Sequence, residues 1–316
     1  MVNPTSVRIE ASSICQLKCP LCPTFRGENE AVIGRGTLKL ADFKSFIADN
    51  PQIRSVELGN FGEVFLNKAL PNILQYAYEQ NVATIIDEGT NLNNATDEAL
   101  EALVKYQTTQ LRCAIDGVTK DTYQIYRVGG NLKQVLDNIQ KINAYKKIHQ
   151  SKKPKLIFQF IIFEHNENQI DAAAILAKML DMEFDLKLNW NTDVMPVADR
   201  QLVRQVVGYA DRKEYLELEN KHYCRHQCYE MWHRPQINWD GKLLGCSRNF
   251  WGYYEENVFE TGFQTSINNE KIQYVREMLM GKLPLLSDIP CTHCGVFQSM
   301  VEKHNWITDA ELVEVA

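Results

Sequence analysis

Three cysteines, Cys15, Cys19 and Cys22, stand near the start of the chain in a C-x3-C-x2-C run. Thiolates are the preferred protein ligands of iron–sulfur clusters. Three thiolates on a four-iron cluster leave one iron open to a small molecule, so the absence of a fourth nearby cysteine is the informative part of the pattern. A zinc site is the competing occupant, but zinc ordinarily takes a fourth local Cys or His, and none follows closely. A second group, Cys224, Cys228, Cys246, Cys291 and Cys294, lies far along the chain. There Cys291-Thr-His-Cys294 puts two thiols on one turn, and Asp240-Gly241 is a hairpin signal that brings Cys246 toward them. Cys228, Cys246, Cys291 and Cys294 make a closed tetrathiolate set. The alternative is that Cys224 replaces Cys228, and the spacing admits either zinc or a second 4Fe–4S cluster.

The first run follows a strand-like segment, Ser6–Glu10, and Pro20 and Pro23 argue for a loop rather than a helix there. Strand-like segments recur at 5–10, 53–59, 82–87, 110–116, 156–163 and 183–190, with helical patterns between them. The clearest helix is 132–147, where Leu132, Val135, Leu136, Ile139 and Ile142 fall on one face; another spans Ile170–Leu180. Six βα units imply a parallel α/β sheet, open or curled. Reactive groups in such folds gather at the C-terminal ends of the strands, which is where the cysteine run falls.

The cysteine run resembles the signature of the radical S-adenosylmethionine (radical SAM) enzymes. That resemblance implies a partial (βα)6 TIM-like barrel, with S-adenosylmethionine chelated to the open iron of a 4Fe–4S cluster. Further matches lie at the strand ends. Phe61-Gly62-Glu63 resembles the family's Gly-Gly-Glu turn, which meets the cofactor's ammonium group, and departs from it at Phe61. Thr90-Asn91 resembles a Thr-Asn-Gly turn near the ribose, with Leu92 in the third place. Cys113-Ala-Ile-Asp-Gly117 followed by Arg127 resembles a Ser-Ile-Asp-Gly … Arg block, with Ala114 for the serine; Arg127 is then the cofactor's carboxylate partner. Asp116-Gly117 is read as a turn and Cys113 as a small buried hydrophobe.

The distal cysteines resemble the SPASM/twitch auxiliary-cluster extension, and the lack of cysteines after Cys294 fits the single-cluster twitch form. The implied organisation is a barrel over 1–195, a helical linker over 196–222, an auxiliary-cluster domain over 223–300 and a C-terminal tail over 301–316. The aromatics of this region, Tyr223 to Tyr254, read as a water-excluding shell around a cluster or as a substrate platform. Asn189, Asn191 and Asp193, beyond the sixth strand, are the expected substrate contacts; no residue is assigned a catalytic proton-transfer role.

Composition narrows the function further. The chain has 316 residues, is 45% hydrophobic and carries a net charge of −6. Without a basic block, nucleic-acid binding has no electrostatic support. No apolar run reaches membrane-spanning length and no signal core opens the chain, so a cytoplasmic protein is expected. Nine cysteines there read as metal ligands. The resemblance implies hydrogen-atom abstraction by a 5′-deoxyadenosyl radical, with flavodoxin or ferredoxin as reductant. The expected substrate is a ribosomally made precursor peptide, to be crosslinked, epimerised or spliced. The room ahead of Cys15 does not hold a peptide-recognition domain, so a separate recognition protein is implied. The alternatives are a twitch-type dehydrogenase of a small alcohol or amino sugar, and an iron–sulfur electron-transfer or scaffold protein without C–H chemistry.

Overall fold

A computed structural model describes residues 1–314. Seven strands, β1 (Ser6–Ile9), β2 (Ser55–Glu57), β3 (Ala83–Thr90), β4 (Gln110–Ala114), β5 (Lys155–Ile162), β6 (Glu183–Leu188) and β7 (Gln236–Ile237), form one sheet in the order β6-β5-β4-β3-β2-β1-β7. Every pairing is parallel. Helices cross between successive strands, among them Leu40–Asp49, Leu70–Glu79, Asp97–Lys105, Leu132–Ile148 and Ile170–Met179. Thr96, Thr119 and Asn131 cap three helix starts through side-chain oxygens that accept from backbone N–H groups.

The six strands read from the sequence are all present. β7 is not among them: two residues are too short to show a period, yet they extend the sheet beyond β1. One alternating set of strand side chains, Val7, Ile9, Val56, Leu111, Cys113, Phe158, Phe160 and Ile162, packs with the helices in the apolar core. The other set is charged. Arg112 on β4 pairs with Asp87 on β3 and with Asp185 on β6, reaching past β5. A contact across two strands is what a concave sheet allows, so the sheet is curled with its polar face inside. Arg8, wholly buried, pairs inside with Glu88 at 2.6 Å and Glu230 at 3.2 Å.

Pro23 does not keep its segment out of a helix. It opens the one-turn helix Pro23–Arg26, because a first helical position has no use for the missing N–H. Residue 300 lies inside the helix Gly295–Lys303, and the last described helix, Asp309–Glu314, is tied back by Glu311 to the buried Arg225 at 2.6 Å. No helix among the described residues is long and apolar enough to cross a membrane.

Candidate cofactor and cluster sites

The first cysteine run leaves β1 at the C-terminal edge of the sheet, as its position after a strand required. Cys19 is buried, while Cys15 and Cys22 are half-buried. Leu17, Leu21, Tyr126, Ile161 and Phe163 pack around them. Burial, then the charge of Glu63 and the neighbouring thiols, pushes the Cys15 thiol up to about 12; Cys19 is also raised, chiefly by burial. Thiols crowded together and held protonated by burial become good ligands only when a metal centre displaces their protons, so the donor set fits an iron–sulfur cluster.

The turns after β2 and β3 close on this loop. The backbone N–H groups of Phe61 and Gly62 donate to the buried Glu10 carboxylate, at 3.0 and 3.3 Å. Glu63 N–H donates to Ile14 C=O at 2.8 Å. A Cβ on Gly62 would lie 2.0 Å from Ser12 O, so only glycine permits this approach. The Glu63 carboxylate is itself buried and spoken for: it accepts from the Thr90 hydroxyl, from Asn91 N–H at 2.7 Å and from Phe65 N–H at 3.4 Å. It fastens the β2 turn to the β3 turn. Asn91 Nδ2 lies 3.6 Å from Cys15 Sγ, and its Oδ1 accepts from Gln16 Nε2 at 2.7 Å. Leu92 takes φ +55°, the left-handed region for which a glycine is best suited, and is fully buried.

Arg127 donates through Nε to Asp116 at 2.6 Å and brings Nη1 to 3.7 Å from Cys19 Sγ. Asp116 is more than a turn residue: it has no exposure, and its second oxygen accepts from Ile161 N–H at 2.7 Å. Cys113 is fully buried in the apolar core, as read.

The distal group divides clearly. Cys228, Cys246, Cys291 and Cys294 line one small cavity with Arg248, Trp251, Pro290 and Phe297 among its walls. Burial pushes Cys291 up to about 12, and the Tyr254 hydroxyl lies 3.3 Å from its sulfur. Cys224 is outside this lining; its thiol meets Arg212 Nη1 at 3.1 Å. The hairpin forms as its Asp-Gly signal indicates, with Gly241 at φ +95°. Among the described residues no three His, Cys, Asp or Glu side chains converge as ligands of a single ion.

Asn189, Asn191 and Asp193 each engage a neighbour through one side-chain oxygen. Asn189 Oδ1 accepts from Asn191 N–H at 2.9 Å, Asn191 Oδ1 from Val194 N–H at 3.2 Å, and Asp193 pairs with Lys213 at 2.8 Å; they hold their own turn. The groups the sequence reading missed are the charges on the inner sheet face: Arg8, Glu10, Glu57, Arg112, Asp185 and Lys187. Their signal was available as charges alternating with apolar residues, as in Val7-Arg-Ile-Glu10, in a parallel sheet whose strands usually read as continuous apolar runs.

No protein-family model and no curated protein matches the chain. Solved structures do. SuiB of Streptococcus suis bound to S-adenosylmethionine is 15% identical with a TM-score of 0.63, over 93% of this chain and 71% of SuiB. SuiB bound to precursor peptide SuiA matches at 14% identity and a TM-score of 0.63, over 94% and 71% of the two chains. Native anSMEcpe with bound AdoMet is 12% identical with a TM-score of 0.58, over 99% of each chain. At these identities the likeness is one of fold. With its curled parallel sheet and its cysteine loop leaving the first strand, the chain shares the fold of these S-adenosylmethionine-bound structures.

Proposed function

We propose that this chain is a radical SAM enzyme that modifies a ribosomally made precursor peptide. The observation that carries the reading is the meeting of the three-cysteine loop with the Phe61–Glu63 and Thr90–Asn91 turns in a fold shared with S-adenosylmethionine-bound structures. Cys15, Cys19 and Cys22 would hold a 4Fe–4S cluster, with Phe61, Gly62, Glu63, Thr90, Asn91 and Arg127 lining the S-adenosylmethionine site. When bound, the two groups would together supply, given one electron from a flavodoxin or ferredoxin, cleavage of the sulfonium carbon–sulfur bond to methionine and a 5′-deoxyadenosyl radical, which would take a hydrogen atom from the substrate. Leu17, Tyr126 and Phe163 keep water from the thiols. Asp116 fixes the direction of the Arg127 guanidinium. Cys228, Cys246, Cys291 and Cys294 would hold the auxiliary 4Fe–4S cluster. Support for a peptide substrate comes from SuiB, whose structure with precursor peptide SuiA has this fold.

The test is anaerobic reconstitution followed by mass spectrometry. With S-adenosylmethionine and reductant, 5′-deoxyadenosine is expected, and a candidate precursor peptide should change mass. Cys15→Ala, Cys19→Ala and Cys22→Ala together should abolish 5′-deoxyadenosine. Its formation by that triple variant at the native rate refutes the assignment of these three cysteines as the ligands of the cluster that cleaves S-adenosylmethionine. Oxidation of a small alcohol or amino sugar, with peptides left unchanged, overturns the substrate assignment alone.

A further inference from the structure

The turn after β2 is held from two sides. On one side it is pinned to the loop leading into Cys15, by Glu10 and by the close approach of Gly62 to Ser12. On the other it reaches the loop that carries Cys246. Asn60 Nδ2 donates to the carbonyl of Ser247 at 2.8 Å, and Ser247 N–H donates in turn to Glu230 at 2.6 Å. The Phe61 ring meets Phe250 edge-on, 6.2 Å between centroids at 87°. Phe250 stacks on Trp251 at 4.4 Å and 29°, and Trp251 lines the four-cysteine cavity. The residue at which this turn departs from the Gly-Gly-Glu pattern is therefore one of the two, with Asn60, whose side chains make the connection; a glycine there could not.

We propose that Asn60 and Phe61 are positioning residues that couple the two cysteine sites, so that the order of the Cys246 loop sets the order of the Phe61–Glu63 turn. The inference rests on the proposed function only in taking that turn to be the cofactor's; the coupling itself rests on the contacts. Losing the connection should open the turn about fivefold to tenfold more often.

Hydrogen exchange at the Phe61, Gly62 and Glu63 amides tests this in the full chain, reconstituted anaerobically. Cys246→Ala should speed exchange at these amides about fivefold to tenfold. In an Asn60→Ala, Phe61→Gly double background the same substitution should change it less than twofold, while Phe61→Tyr, which keeps the ring, should respond as the native chain does. Equal acceleration with and without the two side chains, or none in the native background, overturns the coupling. Should Cys246→Ala fail to fold, Phe250→Leu replaces it: faster exchange at the three amides with unchanged iron content is expected, and unaltered exchange overturns the proposal. Calorimetric titration with S-adenosylmethionine is the second readout, with Phe61→Gly expected to bind about threefold to tenfold more weakly. A native chain that binds none refutes the cofactor assignment, while the exchange data still decide the coupling.

Discussion

Replacing Asp116 by asparagine changes one oxygen to an amide at a site with no solvent exposure. The carboxylate there accepts from Arg127 Nε at 2.6 Å and from Ile161 N–H at 2.7 Å, and the Arg127 side chain is only 11% exposed. Asparagine can keep one of these bonds, but it turns an N–H toward the guanidinium or toward the backbone N–H. Removing one partner of a buried pair leaves the other charge uncompensated, which costs about 3–5 kcal/mol. Arg127→Met should cost a similar amount, by stranding the carboxylate. The double variant removes both charges and should cost less than the sum of the singles by about 2 kcal/mol or more. Urea unfolding at pH 7, followed by circular dichroism under nitrogen, measures all four corners of the cycle. A loss below about 0.5 kcal/mol in Asp116→Asn, or additivity of the singles within about 0.5 kcal/mol, refutes the claim that this pair anchors the edge of the first cysteine loop.

Other substitutions probe the two sites and the sheet interior. Cys224→Ala should leave the iron content intact, near eight per chain for two 4Fe–4S clusters, whereas Cys228→Ala should lower it to near four; the reverse pattern assigns Cys224 as the ligand. Glu63→Gln puts an N–H among the donors that now face the carboxylate, so it should cost about 1–3 kcal/mol of stability and weaken S-adenosylmethionine binding; unchanged calorimetry on both counts removes Glu63 from the site. Burial pushes Glu57 up to about 7, and one of its oxygens has no partner. A folded-state value above the unfolded one near 4.3 favours the folded chain at low pH. That stability is complete below the unfolded value and is lost as pH rises through about 7. Glu57→Gln should flatten the fall in stability between about pH 5 and pH 8 by about 1–3 kcal/mol; an identical slope contradicts the assignment. Glu10 shifts the same way, so some slope should remain.

The fold was legible where residues repeat with a period. The six strands show as short apolar or alternating runs between turn residues, and the helix Leu132–Ile148 shows because it is long enough to carry several turns. Cysteine spacing likewise separated a three-thiol loop from a distal group of five thiols and left the choice between Cys224 and Cys228 open; the cavity is lined by Cys228 and not by Cys224. What stayed hidden depends on partners far apart in sequence. Asp116 looks like half of an Asp-Gly turn until Arg127 and Ile161 are seen beside it. Glu63 looks like a free acid until Thr90 and Asn91 consume its oxygens. Asn189 and Asn191 look like exposed amides because a side chain that bonds its own backbone leaves no trace in spacing.

The pairing of β1 with both β2 and β7 has a consequence for how the molecule is made. β1 comprises residues 6–9 and β7 residues 236–237, so one edge of β1 waits for more than two hundred further residues before it finds its neighbour. At about 5–20 residues per second that is roughly 10–45 seconds of synthesis. During that interval the growing chain displays an unpaired strand edge beside three reactive thiols, which is the condition that invites wrong pairing and oxidation. Yield in the cell is therefore set by what shields the first third of the chain until the last third arrives. Slower elongation should lower the yield, and a chaperone that covers strand edges should raise it.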